Sequence, residues 1–478
     1  MKKCIALILT LAALVTLAAC VGDHSDSEDE TNMQQSALLM VGYAKENITP
    51  TESVPLGGYG NAEQRYSIDL LDYMYATCIY LVDNHGTELV LIALDLGNMN
   101  GPLPKLRTTL AEKFGLSEQQ VMLAASHTHS APSLSTTKDK NIVTYNRSLE
   151  EKIEKTVRDA KADALPVTGM YHTITETEGL NFVRRYIMND GSYCGDNYGD
   201  SSKGFKKHES DGDNTMQLVK FTRDGGKDVI LTNFQTHPHR TGGSERYSLS
   251  SDIVGVYRAE IEKKLDCCAL YFTGSSGNVN PTSRITSENI YSDHREHGNA
   301  MAQYAVDAAA DFAPVEFGTI QLSKTVYVGT CNHTDDHLLS YAQKVQERLD
   351  NGMSNSQAIK GYEKYGIQNA FHATSIISHA KLPETMDVPL YAVSIGDFAM
   401  TFAPFELFAE LGVQIKDASP FEATFVCCYA NQAFSYMPTE LAFSHGGYGP
   451  YKSNFVAGTG EILVQEYVKM LNGLHGSN

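Results

Sequence analysis

The sequence predicts an α/β (α+β) protein, with mixed β-sheets flanked by helices in a single large domain. Three observations carry that expectation. Short apolar runs rich in Val, Ile, Leu, Phe and Tyr alternate with stretches of helical periodicity. Several consecutive strand-like runs stand too close together for a helical crossover, which requires antiparallel neighbours within a mixed sheet or two sheets. No Pro- or Ser-rich break and no internal repeat divides the body of the chain.

In chain order, strands are expected over 39–43, 76–82, 89–94, 121–125, 216–221, 229–234, 269–273, 319–328, 390–394, 398–402 and 423–429. Apolar positions recurring at helical spacing predict helices over 103–113, 149–164, 253–265, 296–310, 335–349, 404–415 and 461–474. The apolar content of the body suffices for a large core.

The N-terminus reads differently. Lys2 and Lys3 precede an apolar stretch, Ile5 to Ala19, of signal-peptide length and too short for a comfortable membrane span. It ends Leu17-Ala18-Ala19-Cys20, which resembles the bacterial lipoprotein signal, in which the cysteine is lipidated and becomes the first residue. An ordinary cleaved signal with a chance cysteine is the other reading. Residues 1–20 are thus expected to be a signal peptide, residues 21–38 a disordered acidic tether, and residues 39–478 the domain. The protein is expected to be exported and lipid-anchored on the extracytoplasmic face of a bacterial cell membrane. The net charge of −19 at pH 7 argues against nucleic acid as a partner. Setting Cys4 and Cys20 aside leaves seven of nine cysteines, an odd number without zinc-finger spacing. They read mostly as small buried apolar residues.

Polar chemistry gathers where the expected strands end. Residues 121–125 run into Ser126-His127-Thr128-His129-Ser130-Ala131-Pro132. In extended backbone, positions i and i+2 share a face, so His127 and His129 can converge just beyond the strand. Neutral imidazole is the commonest metal ligand and a ready acid/base, so the pair is a candidate metal site; capping of strand-end hydrogen bonds is the alternative. After residues 229–234 comes Gln235-Thr236-His237-Pro238-His239, where proline holds His237 in extended backbone. His237 is either a fixed edge position or a loop histidine with one backbone hydrogen bond. Ser250, Ser251 or Asp252 is expected to cap the 253–265 helix. A hydroxyl there also sits where a developing anion is favoured. Glu406 is expected in the first turn of the 404–415 helix. Tyr436 lies in a polar, aromatic loop and reads as packing unless a strong cation lies beside it.

Together these segments resemble the catalytic domain of the neutral/alkaline (non-lysosomal) ceramidase family. The resemblance covers most of residues 39–478. It rests on the order of short motifs: Asn47-Ile48-Thr49-Pro50, Leu56-Gly57-Gly58-Tyr59-Gly60, Ala93-Leu94-Asp95-Leu96, the His-Thr-His run, Thr236-His237-Pro238, Leu249-Ser250-Ser251-Asp252, Gly277-Asn278-Val279-Asn280-Pro281, Pro404-Phe405-Glu406 and Tyr436-Met437-Pro438-Thr439.

The resemblance implies a ceramidase-like zinc amidohydrolase acting on linear amides. Its reaction would cleave the N-acyl bond of a lipid such as ceramide to a sphingoid base and a fatty acid. One Zn²⁺ per chain would be held by His127, His237, Glu406 and Tyr436, leaving room for a water whose pKa the metal lowers. His129 corresponds to the family's acid/base or oxyanion-stabilising histidine. Arg184 corresponds to the arginine of an Asn-Arg motif, although Val183 replaces the asparagine and Arg185 competes for the role. Tyr448 follows Tyr436 by twelve positions, as a second active-site tyrosine does in the family. Ser250 matches the serine of a Ser-Gly-Asp motif, with Ser251 in place of the glycine. Attack by zinc-bound water is favoured over an acyl-enzyme on Ser250, because hydroxide at zinc requires no further base for the serine.

Departures concern the substrate more than the metal. Asn278 stands where the family usually has Asp, and residues 188–210 do not match its ceramide-binding segments. The family's additional C-terminal immunoglobulin-like domain is not expected within this sequence. The partners implied are a lipid-like N-acyl substrate and a membrane surface reached through lipidated Cys20. Alternatives are a non-catalytic surface lipoprotein that binds a lipid or glycan, and a hydrolase of another acylated substrate.

Overall fold

The computed structural model describes residues 38–59, 65–283, 285–286 and 290–476. The signal segment, Cys20 and nearly all of the acidic tether lie outside the described residues. The larger sheet contains β1 (Leu39–Asn47), β2 (Tyr75–Asp83), β3 (Glu88–Leu94), β4 (Val121–Ala125), β5 (Leu165–Glu176), β6 (Thr215–Arg223), β7 (Val229–Phe234), β8 (Cys268–Thr273) and β9 (Ala313–Val315). Its order is β8-β7-β6-β5-β1-β2-β3-β4, with β9 paired to β5. The central pairs are antiparallel, whereas the outer pairs β3/β4 and β7/β8 are parallel. A helical crossover serves each parallel pair: α1 (Leu103–Phe114) joins β3 to β4, and α3 (Asp252–Lys264) joins β7 to β8. The long helix α2 (Lys140–Ala162) packs on β1 and β2.

A second sheet has the order β10 (Ile320–Thr330), β11 (Thr385–Ile395), β12 (Phe398–Phe402) and β13 (Ala423–Cys427). Its β12/β13 pair is again parallel. The two sheets share a core in which Leu231, Phe272, Phe398, Met400, Phe402 and Phe425 are buried together. Truncating one of these phenylalanines to alanine costs about 3–5 kcal/mol. Alternation along each strand divides the layers: Leu231 faces the inter-sheet core, while Ile230 packs with Ile253 and Tyr257 of α3 and Met301 of α4 (His294–Ala308). Burial on both faces makes these strands continuous apolar runs, which is why they are readable from sequence.

Strand ends are tied together at one place. Ala125 N–H donates to Tyr429 O (3.0 Å), Cys428 N–H to Thr273 O (2.9 Å), and His129 N–H to Pro238 O (3.1 Å). Thr273 Oγ1 donates to Ser126 O (2.8 Å). The C-terminal ends of β4, β7, β8 and β13 therefore meet, the position where open α/β sheets place ligands.

Three features differ from expectation. β5 escapes the sequence reading because Thr168, Ile174 and Glu176 are exposed and Tyr171, His172 and Thr175 half-buried, which breaks the apolar alternation. α2 begins at Lys140, nine residues before the expected start, because the Asp139 carboxylate accepts from Asn141 and Ile142 N–H. The helix expected over 404–415 begins only at Ala409, as α5 (Ala409–Asp417). Glu406–Leu407 forms instead a short strand parallel to Tyr436–Met437. The cysteines from Cys78 onward are free thiols, and all but Cys268 are buried.

Candidate metal centre

His127 and His129 do converge, with their Nε2 atoms 3.4 Å apart, but not through extended backbone. His127 has φ +70°, a left-handed conformation uncommon for a side chain other than glycine. Its N–H bonds Leu96 O (2.9 Å), and its ring stacks on Tyr429 with centroids 4.0 Å apart. His127 Nδ1 lies 2.6 Å from Gly97 O. Because a carbonyl only accepts, Nδ1 carries the proton and Nε2 presents a lone pair. His237 is held the same way, with Nδ1 2.7 Å from Ser276 O and 3.1 Å from Val279 O. Such backbone anchoring of the distal nitrogen is the usual second layer of a metal-ligating imidazole.

Both lone pairs face one carboxylate oxygen. Glu406 Oε2 is 3.4 Å from His127 Nε2 and 3.3 Å from His237 Nε2. His237 Nε2 and Glu406 Oε2 are buried without a hydrogen-bond partner. Burial and then the Arg184 charge push His237 down to about 3, so its imidazole is neutral. Lone pairs on His127 Nε2 and His237 Nε2 aimed at a buried carboxylate oxygen are repulsive unless a cation lies among them. The residues present fit a divalent metal.

The backbone pairing that replaces the expected helix matters here. Glu406 stands opposite Tyr436 in the short parallel pair, which puts carboxylate and phenol on neighbouring strands. The Tyr436 hydroxyl accepts from Arg184 Nη2 at 3.0 Å. Arg184 also donates to Gly277 O (2.6 Å) and Asn280 Oδ1 (3.4 Å), and pairs with Asp196 at 3.5 Å. Arg185 points elsewhere, to the Glu209 carboxylate and the carbonyls of Gly446 and Ala442. Tyr448 meets the Tyr436 ring edge-on at 5.6 Å.

His129 stands against His127, His237 and His239. Burial, then the neighbouring His127, His239 and His237, push its pKa well below the ordinary value. The ligating atoms of His127, His129 and His237 all lie within 4.8 Å of one another. His129 is therefore within the same donor cluster, although the expected ligand set omits it.

Ser250 is not turned toward a histidine. Its hydroxyl donates to Asp72 Oδ2 (2.6 Å) and accepts from Asp252 N–H (2.8 Å). His294 Nε2 lies 2.9 Å from the same Asp72 oxygen. Ser251 occupies the capping position of α3 without a side-chain cap.

Sequence reasoning missed several groups. His239 bonds Asn280 Oδ1 at 2.9 Å, and Asn280 donates to Asp196 at 3.0 Å. His237-Pro-His239 repeats the His-x-His spacing, a signal that could have flagged His239. Asp72 and His294 carry no comparable signal, being 222 residues apart. The Asn278 departure has a structural reason. Its Oδ1 accepts from Ala409 N–H (2.9 Å) while its Nδ2 donates to the Glu410 carboxylate (2.9 Å). An aspartate there would set two carboxylates against each other.

The fold and the site together define a mixed α/β protein with two large packed sheets, smaller ones beside them, and a buried His/Glu cluster at its strand ends. That fold is the one seen in solved neutral ceramidases. The chain is similar to the structure described as "Ceramidase complexed with C2" (TM-score 0.67, 17% identity, covering 92% of this chain and 76% of that one). It is similar also to neutral ceramidase from Pseudomonas aeruginosa (TM-score 0.67, 18% identity, covering 92% of this chain and 75% of that one). No family profile and no curated protein sequence matches the chain.

Proposed function

We propose that the chain is a zinc-dependent hydrolase that cleaves the N-acyl bond of a lipid such as ceramide, releasing a sphingoid base and a fatty acid. The observation that carries this reading is the convergence of His127 Nε2, His237 Nε2 and Glu406 Oε2 on one buried point, in a fold shared with neutral ceramidases. His127, His237, Glu406 and Tyr436 would hold a single Zn²⁺. When bound, that ion supplies Lewis-acid polarisation of a carbonyl and a lowered pKa for water.

The remaining roles belong to the chain's own side chains. Arg184, fixed by Gly277 O and Asn280, brings positive charge to the Tyr436 hydroxyl and toward the oxyanion that develops on amide attack. Tyr448 packs against Tyr436 and narrows that side of the site. His129, neutral in its buried setting, takes a proton and delivers it to the leaving amine. Ser250 orients substrate; its proton is committed to Asp72, not to an imidazole that could activate it as nucleophile. The same reading takes Cys20 as a lipidated anchor, with residues 21–38 as the tether, on the extracytoplasmic face of a bacterial membrane. Lipid labelling lost in Cys20→Ala tests that part.

The deciding experiment is a zinc-loaded hydrolysis screen over N-acyl sphingoid bases, N-acyl amino acids and acylated sugars, with Glu406→Ala as the blank. Activity above the blank on N-acyl sphingoid bases is expected. Activity equal to the blank on every class overturns the proposal.

A further inference from the structure

A groove of about 940 Å³ borders the layer behind the candidate metal centre at Asp196, and residues 191–201 form much of its wall. These residues belong to the segment whose sequence departs from ceramide-binding patterns. The groove's lining is mostly polar side chains and tyrosine rings, unlike the aliphatic lining that an acyl chain needs. Ile285 is the one aliphatic side chain among the described lining residues apart from Cys194. Instead the lining offers the rings of Tyr193, Tyr198 and Tyr451, the amides of Asn197 and Gln368, and the carboxylate of Asp196.

The rings are held in place. Tyr193 stacks on His445 with centroids 3.7 Å apart and planes 14° apart, and Tyr451 stacks on His372 at 4.5 Å. Fixed ring faces take the C–H face of a pyranose, while amides and a carboxylate pair its hydroxyls as donors and acceptors. Asp196 joins the groove to the centre, because it also accepts from Asn280 at 3.0 Å and pairs with Arg184, whose other nitrogen holds Tyr436. Asp196 and Arg184 thus form a two-residue link between the groove and the Tyr436 hydroxyl.

We infer that the groove binds a glycosyl group carried by the substrate, so that the amide cleaved belongs to a glycosylated N-acyl lipid in preference to bare ceramide. This rests on the hydrolase reading above. The C–N bond breaks, the acyl carbon takes the hydroxyl of water to give a fatty acid, and the nitrogen takes the remaining proton and leaves as the free amine of the glycosylated base.

Two measurements test it. Glucosylceramide and ceramide with the same acyl chain are given to the zinc-loaded protein at equal mole fraction in detergent micelles. A preference of roughly tenfold or more in kcat/KM for glucosylceramide is expected. Tyr193→Ala and, separately, the exposed Gln368→Ala should erode it by raising KM for glucosylceramide while leaving ceramide unaffected. Equal kcat/KM for the two lipids, or a preference that neither variant alters, overturns the inference. The second measurement needs no turnover. The chain has 26 tyrosines and no tryptophan, so tyrosine fluorescence can follow titration with octyl glucoside below its micellar concentration. A saturable response that octanol does not reproduce, and that Gln368→Ala weakens, supports the groove; the same response to octanol overturns it. Glucoside binding with neither lipid cleaved would keep the groove and reject the hydrolase reading. Ceramide cleavage without glucoside binding would do the reverse.

Discussion

Arg184 holds the hydroxyl of Tyr436 at 3.0 Å, a guanidinium set directly behind the phenol proposed as a metal ligand. Its neighbour Arg185 is buried in an ion pair with Glu209 on another part of the fold. Arg184 sits at the bend between the short strands Phe182–Val183 and Arg185–Met188, and the two guanidinium groups end on different partners, so one arginine serves the site and the other the scaffold. Arg184→Ala is expected to lower kcat/KM about 10²–10³-fold with the protein still folded. Arg185→Ala should instead cost about 1–3 kcal/mol of stability, because the buried Glu209 carboxylate loses its guanidinium and keeps only His445. Steady-state kinetics and urea denaturation on both variants check this, and the opposite pattern would exchange the two roles.

Zinc content separates the ligands from the proton-transfer group. The His127→Ala His237→Ala double variant should lose stoichiometric zinc, measured by elemental analysis after dialysis. Glu406→Gln should weaken affinity by at least about 10–100-fold. His129→Ala should keep the metal and lose turnover. Loss of zinc in His129→Ala would mean that all three clustered histidines ligate.

Ser250 gives a third test. Rapid-quench mass spectrometry during turnover should find no acyl adduct on this residue, and an adduct there would transfer the nucleophile's role to it. Ser250→Ala removes one donor from Asp72 and one acceptor from Asp252 N–H, which should cost about 1–3 kcal/mol in unfolding free energy.

The pair behind Ser250 should show in the pH dependence of stability. Burial pulls His294 down, but the Asp72 carboxylate at 2.9 Å outweighs it, so the histidine titrates above its ordinary 6.5. Burial raises Asp72, but hydrogen bonds from His294 and Ser250 hold it below its ordinary 3.8. A raised histidine stabilises fully below its unfolded pKa, and that contribution fades as pH rises through the folded value. A depressed carboxylate stabilises above its unfolded pKa and fades as pH falls through the folded value. Together they predict the largest stability gap between wild type and His294→Gln at about pH 4–6.5, narrowing as pH rises above the ordinary histidine value and through the raised one. Denaturant titrations across that range measure it; a gap that widens with pH contradicts the pairing.

Legibility from sequence followed the local character of each feature. β7 and β8 are buried on both faces and read as unbroken apolar runs, so their bounds came out almost as observed. β5 was hidden by its half-exposed, polar composition. Glu406 was misread as helical because Ala409–Asp417 is indeed amphipathic, while the pairing with Tyr436 is a contact across distant sequence. The two histidines of His-Thr-His met as expected but by a left-handed backbone that no alternation rule encodes. Asp72 and His294 have no shared motif, only a shared oxygen.

The left-handed backbone at His127 has a use. Glycine is the residue that fits such a conformation without strain. His127→Gly would keep the loop and leave a slot bounded by the Tyr429 ring and the Gly97 carbonyl. Free imidazole in the buffer is cut to that shape. The centre could then be switched on and off by a dissolved small molecule, with its assembly reported by how much imidazole the protein must be fed.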